Sequence, residues 1–325
     1  MDSADQLSQT ALTDCVRRHL PDPDADVLLT PIATGKFNSG YYVLAGGEEL
    51  VLRVAPPKNS VFLFYERDMM KQEPGIHRML REKTTVPVAE ILAFDQSADI
   101  IDRDYILMTR LPGAPLSDVR GVSTAKVLAQ VGQCLAQVHR LRAQQYGYLG
   151  EHHPMTPQAS WPDAFRIMWR KLIEDVAATG HYQAVECHAL LSLLDRHMHL
   201  FDRPVPSCFL HMDIWSENIL VDRRSRLTGL VDWDRALWGD PEIEFAVLDY
   251  CGVSKPAFWE GYGTPRDTSP EARARNTFYL LYELQKYIVI RHGRGNDPAS
   301  ARRHKQQVAD MVRKHFGRRP GVWNA

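Results

Sequence analysis

The stretch FLHMDIWSENILVD, residues 209–222, sets His211, Asp213 and Asn218 at short fixed intervals, and LVDWDRALWGDPE adds Asp232 and Asp234 shortly after. Asp213 to Asn218 is the spacing D-x-x-x-x-N, and His211 completes H-x-D. Such a set suits phosphoryl transfer. One carboxylate orients an attacking hydroxyl and accepts its proton. A side-chain amide close by holds a Mg²⁺ that neutralises phosphates, and a second carboxylate takes the metal from the other side. Asp213 fits the first role, Asn218 the second and Asp232 the third. An isolated H-x-D-x-x-x-x-N arises by chance in many proteins; its coupling to Asp232 at a strand end is what carries weight. His211 reads as a buried side chain that pins the loop rather than as a catalytic group.

These residues need elements to hold them. Asn218 leads into the strand-like NILVD and Asp232 ends LTGLVDW, with RRSR as the turn between. Antiparallel pairing would bring Asn218 and Asp232 to the same end of that hairpin. Upstream, residues 5–20 have the pattern of an amphipathic helix ended by PDPD. VLLTPIA, GYYVLAG and ELVLRVA read as strands, the last two joined by Gly46-Gly47. Met69, Met70, Ile76, Met79 and Leu80 have helical spacing, with Pro74 either in the first turns or at a kink. VPVAEILAFD and DYILMTRL read as two further strands. Pro112, Gly113 and Pro115 then break the pattern, a candidate hinge. Beyond it helical periodicity dominates: 124–142, 161–179, 183–201, 241–250, 270–292 and 299–315. The expected fold class is α+β: a small β-rich N-terminal lobe over 1–111 and a larger α-rich lobe over 112–325. A cleft between lobes is a common place for a ligand.

Composition narrows the function classes. The chain has 325 residues, 44% hydrophobic and 24% charged, enough apolar surface for a real core. With 39 basic and 40 acidic residues the net charge is −1, which offers no electrostatic footprint for nucleic acid or an anionic membrane. No apolar run approaches the length of a membrane span, and the acidic, amphipathic start lacks the features of a secretory signal. Five scattered cysteines without a CxxC pair fit reduced thiols rather than disulfides or zinc. The expectation is a cytoplasmic protein with no nucleic-acid or membrane partner.

HMDIWSENIL followed by GLVDWDRALWGDPEIEFA resembles the aminoglycoside phosphotransferase family, small-molecule kinases of the protein-kinase-like fold that include choline, fructosamine and homoserine kinases. The resemblance runs over most of the chain. TGKFNSGYYVL is similar to the family's glycine loop, LVLRVA to its phosphate-contacting strand and QEPGIHRML to its helix with the paired Glu. YILMTRLPGAPL resembles the hinge, and LAQVHRL the helix before the catalytic loop. It implies a bilobal fold and ATP and Mg²⁺ as cofactors. It implies an acceptor hydroxyl on a small molecule, foremost an aminoglycoside-type antibiotic and otherwise a choline, hydroxy amino acid, sugar or fructosamine. It also implies nucleotide contacts at Gly35, Asn38 and Gly40, phosphate contact at Arg53 oriented by Glu73, and adenine at Met108, Thr109 and Leu111. There are departures. Arg53 stands where a Lys is usual, Glu244 follows Gly-Asp-Pro where many relatives carry Asp, and Asp-Trp-Asp replaces the Asp-Phe-Gly of protein kinases.

Blander readings stand beside these. GKFNSGYY lacks the Lys-Ser/Thr of a Walker loop, so Gly35 to Gly40 is either a plain hairpin turn or a turn over phosphates. Arg53 and Glu73 make either a surface ion pair, worth little, or a phosphate clamp. Trp215 offers packing or a stacking surface; Trp233 reads as core. Asp240, Glu242, Glu244 and Asp249 form either a cation-binding run or a helix N-terminus furnished with carboxylates. Loss of the Lys leaves open a nucleotide-binding pseudokinase.

Overall fold

The computed structural model describes residues 7–32 and 37–317. In chain order its elements begin with α1 (Gln9–Arg17), β1 (Val27–Ile32), β2 (Ser39–Ala45), β3 (Glu48–Val54), α2 (Glu73–Lys83), β4 (Ile91–Asp95), β5 (Tyr105–Thr109) and β6 (Ala114–Pro115). Then come α3 (Thr124–Val138), β7 (Arg142–Ala143), α4 (Trp161–Ala178), α5 (Ala184–His197), β8 (Ser207–Leu210), β9 (Ile219–Val221) and β10 (Leu227–Leu230). The last are β11 (Leu237–Gly239), α6 (Pro241–Tyr250), α7 (Pro256–Tyr262), α8 (Pro270–Gly293) and α9 (Pro298–Phe316). They fall into two compact units. The first comprises Met1–Ser60, Met70–Val122 and Glu217–Asp234, and the second Val61–Met69, Ser123–Ser216 and Arg235–Ala325.

The first unit is built on an antiparallel sheet in the order β1-β2-β3-β5-β4. Side chains alternate across a strand, and the apolar ones sort accordingly. Leu50, Leu52 and Val54 of β3 join Tyr105 and Leu107 of β5 under Leu12, Cys15 and Val16 of α1. Val51, Ile106 and Met108 line the opposite face. Arg53 shares the parity of Val51, so the alternation sends it to that second face. Pro74 sits in the first turn of α2, preceded by a 3₁₀ turn at Met69–Gln72, so the expected helix starts late instead of kinking. The predicted hairpin forms from β9 and β10, and β6 adds a third strand to it. Gly113 lies at φ +96°, and a Cβ there would stand 2.6 Å from the Val221 carbonyl oxygen. The Pro-Gly stretch thus lets β6 approach β9 closely.

The second unit is mainly helical. The helix expected over 124–142 ends at Val138, and the one over 183–201 ends at His197 with a 3₁₀ turn behind it. Sequence periodicity missed α7, whose seven residues are too few to show a period, and the short sheet β11-β8-β7. Gly132 and Gly261 let α3 and α7 pack backbone to backbone, since a Cβ on either would collide with a carbonyl of the other helix. Trp161, Phe165, Trp169, Phe278 and Tyr279 fill the core between α4 and α8. Val61–Met69 packs into this unit, with Tyr65 stacked on Tyr148 at 4.9 Å and the Phe64 N–H donating to Asp175. Among the described residues, no helix is long and apolar enough to cross a membrane.

Candidate active site

In the first unit, Arg53 gathers three carboxylates. Its Nη1 donates to Glu73 Oε2 at 2.6 Å, and its Nη2 to Asp232 Oδ1 at 2.5 Å and Asp234 Oδ2 at 3.2 Å. The register puts Arg53 opposite Ile106 on β5 and Gly40 on β2, while Glu73 opens α2 and is fully buried. Burial pushes Glu73 up to about 7, more than its Arg53 partner lowers it, and the Asp232 charge adds to the rise. Burial works against the Arg53 charge, but the Glu73, Asp232 and Asp234 carboxylates outweigh it and hold the guanidinium above its ordinary range. This is no surface ion pair.

Asp234 is buried and further held by Asn38, whose Nδ2 donates to Asp234 Oδ2 at 2.9 Å. Gln72 Nε2 donates to the Asp234 carbonyl at 2.5 Å. Asp232 has a left-handed backbone, φ +69°, a conformation that costs a non-glycine residue about 1–3 kcal/mol and collects at functional sites. Its side chain remains 37% exposed. The Val231 N–H donates to the Asn218 carbonyl at 3.1 Å, which closes the hairpin and places Asn218 and Asp232 at one end of it.

Of the expected nucleotide contacts, Gly35 lies outside the described residues. Gly40 sits in β2 with Ile32 packed where its Cβ would be. Met108 is buried on the second sheet face. The Thr109 N–H and Oγ1 bond the Glu90 carbonyl and amide, each at 2.9 Å. Leu111 packs against Gly229, where a Cβ would stand 2.8 Å from its Cδ1.

In the second unit, the loop after β8 is clamped residue by residue. Asp213 donates its backbone N–H to Nδ1 of the fully buried His211 at 3.2 Å. Met212, at φ +68°, donates its N–H to Glu244 Oε1 at 2.7 Å, and its carbonyl accepts from Arg235 Nη1 at 2.7 Å. Glu244 Oε2 in turn accepts from His139 Nε2 at 2.6 Å, and His139 Nδ1 lies 2.9 Å from the Tyr262 hydroxyl. Burial would raise Glu244, but the bond from His139, the charges of His139 and His211 and the Met212 N–H bring it below its ordinary value. The Asp213 carboxylate is 27% exposed, with Arg235 Nη1 at 3.8 Å and Lys286 Nζ at 3.9 Å. Both cations also hold the buried Glu283, at 2.7 Å and 2.5 Å. They outweigh its burial and draw it down to about 2.

The acidic run after β11 is internally engaged. Asp240 caps α6 and accepts from Arg203 at 2.6 Å. Glu242 takes both a 2.7 Å and a 2.9 Å bond from Arg275, and Asp249 takes two 2.7 Å bonds from Arg266. Trp233 is core, its Nε1 donating to the Leu230 carbonyl at 2.8 Å, whereas Trp215 is only half-buried. Asp234 was singled out beside Asp232 but given no role, and Arg235, His139, Glu283 and Lys286 escaped the sequence reading. Arg235 follows Asp234 directly and was open to suspicion from that alone. Glu283 and Lys286 lie in the middle of a long helix and carry no motif.

The model of the phosphotransferase enzyme family matches residues 29–274 of the chain. A probable ketoamine kinase of Vibrio parahaemolyticus is 28% identical over 224 residues, 65% of this chain and 71% of the relative. A hygromycin-B 4-O-kinase of Escherichia coli is 22% identical over 279 residues, 80% of this chain and 75% of the relative. A thermostable mutant of aminoglycoside phosphotransferase APH(4)-Ia, in ternary complex with AMP-PNP and hygromycin B, superposes with a TM-score of 0.61 at 20% identity. That match covers 88% of this chain and 95% of the other, and the shared fold is the α+β, kinase-like one. With the family pattern running through most of its length, the chain belongs to the phosphotransferase enzyme family and is an ATP-dependent kinase of small molecules.

Proposed function

We propose that the protein transfers the γ-phosphoryl group of ATP to a hydroxyl of a small molecule, with Asp213 as the residue that orients and deprotonates that hydroxyl. The observation that carries this reading is the buried cluster of Arg53 with Glu73, Asp232 and Asp234, at the hairpin end that also holds Asn218. Arg53 replaces the usual Lys as the phosphate contact. Its guanidinium keeps its charge when buried and presents a fork that suits two phosphate oxygens, while Glu73 fixes its direction. Asn38 and Gly40 adjoin the phosphates, and Met108, Thr109 and Leu111 form the adenine edge.

Asn218 and Asp232 would hold Mg²⁺. They offer two hard oxygen donors, and three carboxylates around one guanidinium leave an excess of negative charge. Among the described residues no group of three or more His, Cys, Asp or Glu could hold a metal by itself. Mg²⁺ takes one or two protein ligands and completes its shell with phosphates and water. When bound it supplies charge neutralisation on the phosphates. On the acceptor side, His211, Glu244 and Arg235 hold the Met212–Asp213 backbone, so the Asp213 carboxylate is fixed before the substrate arrives. The transition state is loose, and positioning supplies most of the acceleration.

The hygromycin kinase match supports the aminoglycoside-type acceptor expected from the sequence, with a role in antibiotic resistance, and the ketoamine kinase match supports a metabolic acceptor. The test is acceptor-dependent ADP release with ³²P transfer from ATP. Phosphorylated acceptor supports the proposal. Nucleotide binding without transfer to any acceptor makes the protein a pseudokinase and refutes it.

A further inference from the structure

The clamp of His211, Glu244 and Arg235 on the Met212–Asp213 backbone sets where Asp213 stands. The direction of its carboxylate turns on χ1 and χ2, which a backbone clamp does not set. Two cations address that carboxylate, and both address the same atom. Arg235 Nη1 lies 3.8 Å from Asp213 Oδ1, and Lys286 Nζ lies 3.9 Å from the same oxygen. Both stand beyond hydrogen-bond distance. Glu283 holds them there: Lys286 Nζ is 2.5 Å from its Oε1, and Arg235 Nη2 is 2.7 Å from its Oε2.

Glu283 and Lys286 lie one turn apart in α8, with side chains 1% and 5% exposed. Leu281, Leu284, Ile288 and Val289 of the same helix are buried as well. Two charges taken out of water into such surroundings recover little more than their desolvation costs. Well-packed apolar residues of similar volume are often as stable or more so. The helix core therefore does not need this pair for its stability. Two cations and two carboxylates also balance, so the group does not call for a further ion. What the four charges fix is position: Glu283 fastens both cations, and the cations flank one end of the Asp213 carboxylate.

We propose that Glu283 and Lys286 are positioning residues for the transfer. With Arg235 they anchor Asp213 by Oδ1 and so turn Oδ2 toward the acceptor hydroxyl. Glu283 has a second effect, since it keeps Arg235 from closing onto Asp213. Released from Glu283, the guanidinium would pair with both oxygens as a fork and take the carboxylate away from the hydroxyl. Neither Glu283 nor Lys286 touches the substrate; both act through Asp213. The inference rests on the reading of Asp213 as the residue that orients and deprotonates that hydroxyl.

The test is the double variant Glu283→Gln/Lys286→Met in the full chain. It removes one charge of each sign and leaves Arg235 its bond to the Met212 carbonyl. With no charge stranded it should fold, and its Tm should equal or exceed that of the wild type. Single-turnover transfer from ATP to the best acceptor should nonetheless slow about tenfold or more. Acceptor KM and the Kd for Mg·ATP should stay within roughly twofold. A merely structural pair would show the reverse, a lower Tm and an unchanged rate in the folded protein. Placed on Asp213→Asn, the same two changes should cost only about threefold or less, because the residue they act through is already altered. Lys286→Met alone leaves Glu283 to Arg235 and should slow transfer about threefold or more; it reads the effect if the double variant does not fold. A wild-type rate in either folded variant, or the full loss repeated on Asp213→Asn, overturns the inference and leaves the kinase standing. A near-normal rate in Asp213→Asn itself refutes the assignment on which the inference rests.

Discussion

Glu73 of the first unit and Glu283 of the second are both buried completely, and the two are driven in opposite directions. Glu73, in the first unit, rises to about 7, whereas Glu283, in the second, falls to about 2. Burial penalises both charges alike. What differs is the supply of cations. Glu73 shares a single guanidinium with Asp232 and Asp234, while Glu283 has Arg235 and Lys286 at 2.7 Å and 2.5 Å. The first cluster is short of positive charge and suited to receive a cation. The second is already balanced and suited to hold a loop in place. The comparison separates a site that awaits charge from one that supplies rigidity.

The sharpest way to break it is to remove the ligand carboxylate of the charge-hungry cluster. If Asp232 is the metal carboxylate, as proposed, Asp232→Ala should abolish Mg²⁺-dependent ATP binding. Titration calorimetry with and without Mg²⁺ reads this, and unchanged Mg·ATP affinity would remove Asp232 from the metal site.

A smaller effect, on stability, contrasts the two glutamates directly. Glu283→Gln leaves two buried cations facing one neutral amide and should cost about 3–5 kcal/mol. Glu73→Gln replaces a carboxyl that already takes up a proton near neutrality, and its amide oxygen still accepts from Arg53, so it should cost about 1 kcal/mol or less. Urea unfolding of both variants measures this, and equal losses would erase the distinction. The pH dependence has opposite signs. Glu73 is raised above its ordinary 4.5, so its contribution is full below that pH and fades as pH climbs through about 7. Glu283 is depressed, so its contribution is present above 4.5 and is lost as pH falls toward 2. The deficit of Glu283→Gln should therefore shrink in acid, while Glu73→Gln should gain on the wild type as pH climbs from about 4.5 to about 7.

A conservative change at Arg53 sharpens the comparison further. Arg53→Lys keeps a point charge but not the fork, and should retain part of the activity with a raised KM for ATP, whereas Arg53→Ala should lose most of it. Single-turnover transfer at saturating ATP orders the three proteins. Indistinguishable rates would remove Arg53 from the phosphate contact.

Much of the first cluster could be read from the chain because its members lie in short-range patterns. Period-two alternation sends Arg53 to the face opposite Leu52, and the hairpin turn brings Asn218 and Asp232 to one end. What escaped was long-range or too short to show a period. Glu283 and Lys286 sit among several other charged residues of α8 with no motif to mark them, and only the fold brings them to Asp213, some seventy residues away in sequence. α7 has seven residues, and β7 and β11 two and three, so periodicity had nothing to count. The run of Asp240, Glu242 and Glu244 looked alike in sequence, yet it divides into a helix cap, an arginine partner and the clamp of Met212.

The central claim is that Asp213, held by its clamped loop, orients and deprotonates the acceptor hydroxyl, while ATP is held by residues of the first unit. Asp213→Asn tests it most directly, by rapid-quench single-turnover transfer to the best acceptor alongside the Kd for Mg·ATP. The account predicts a transfer rate lower by about a hundredfold or more, with Mg·ATP affinity unchanged. A near-normal transfer rate would contradict it, as would a loss explained entirely by weakened nucleotide binding.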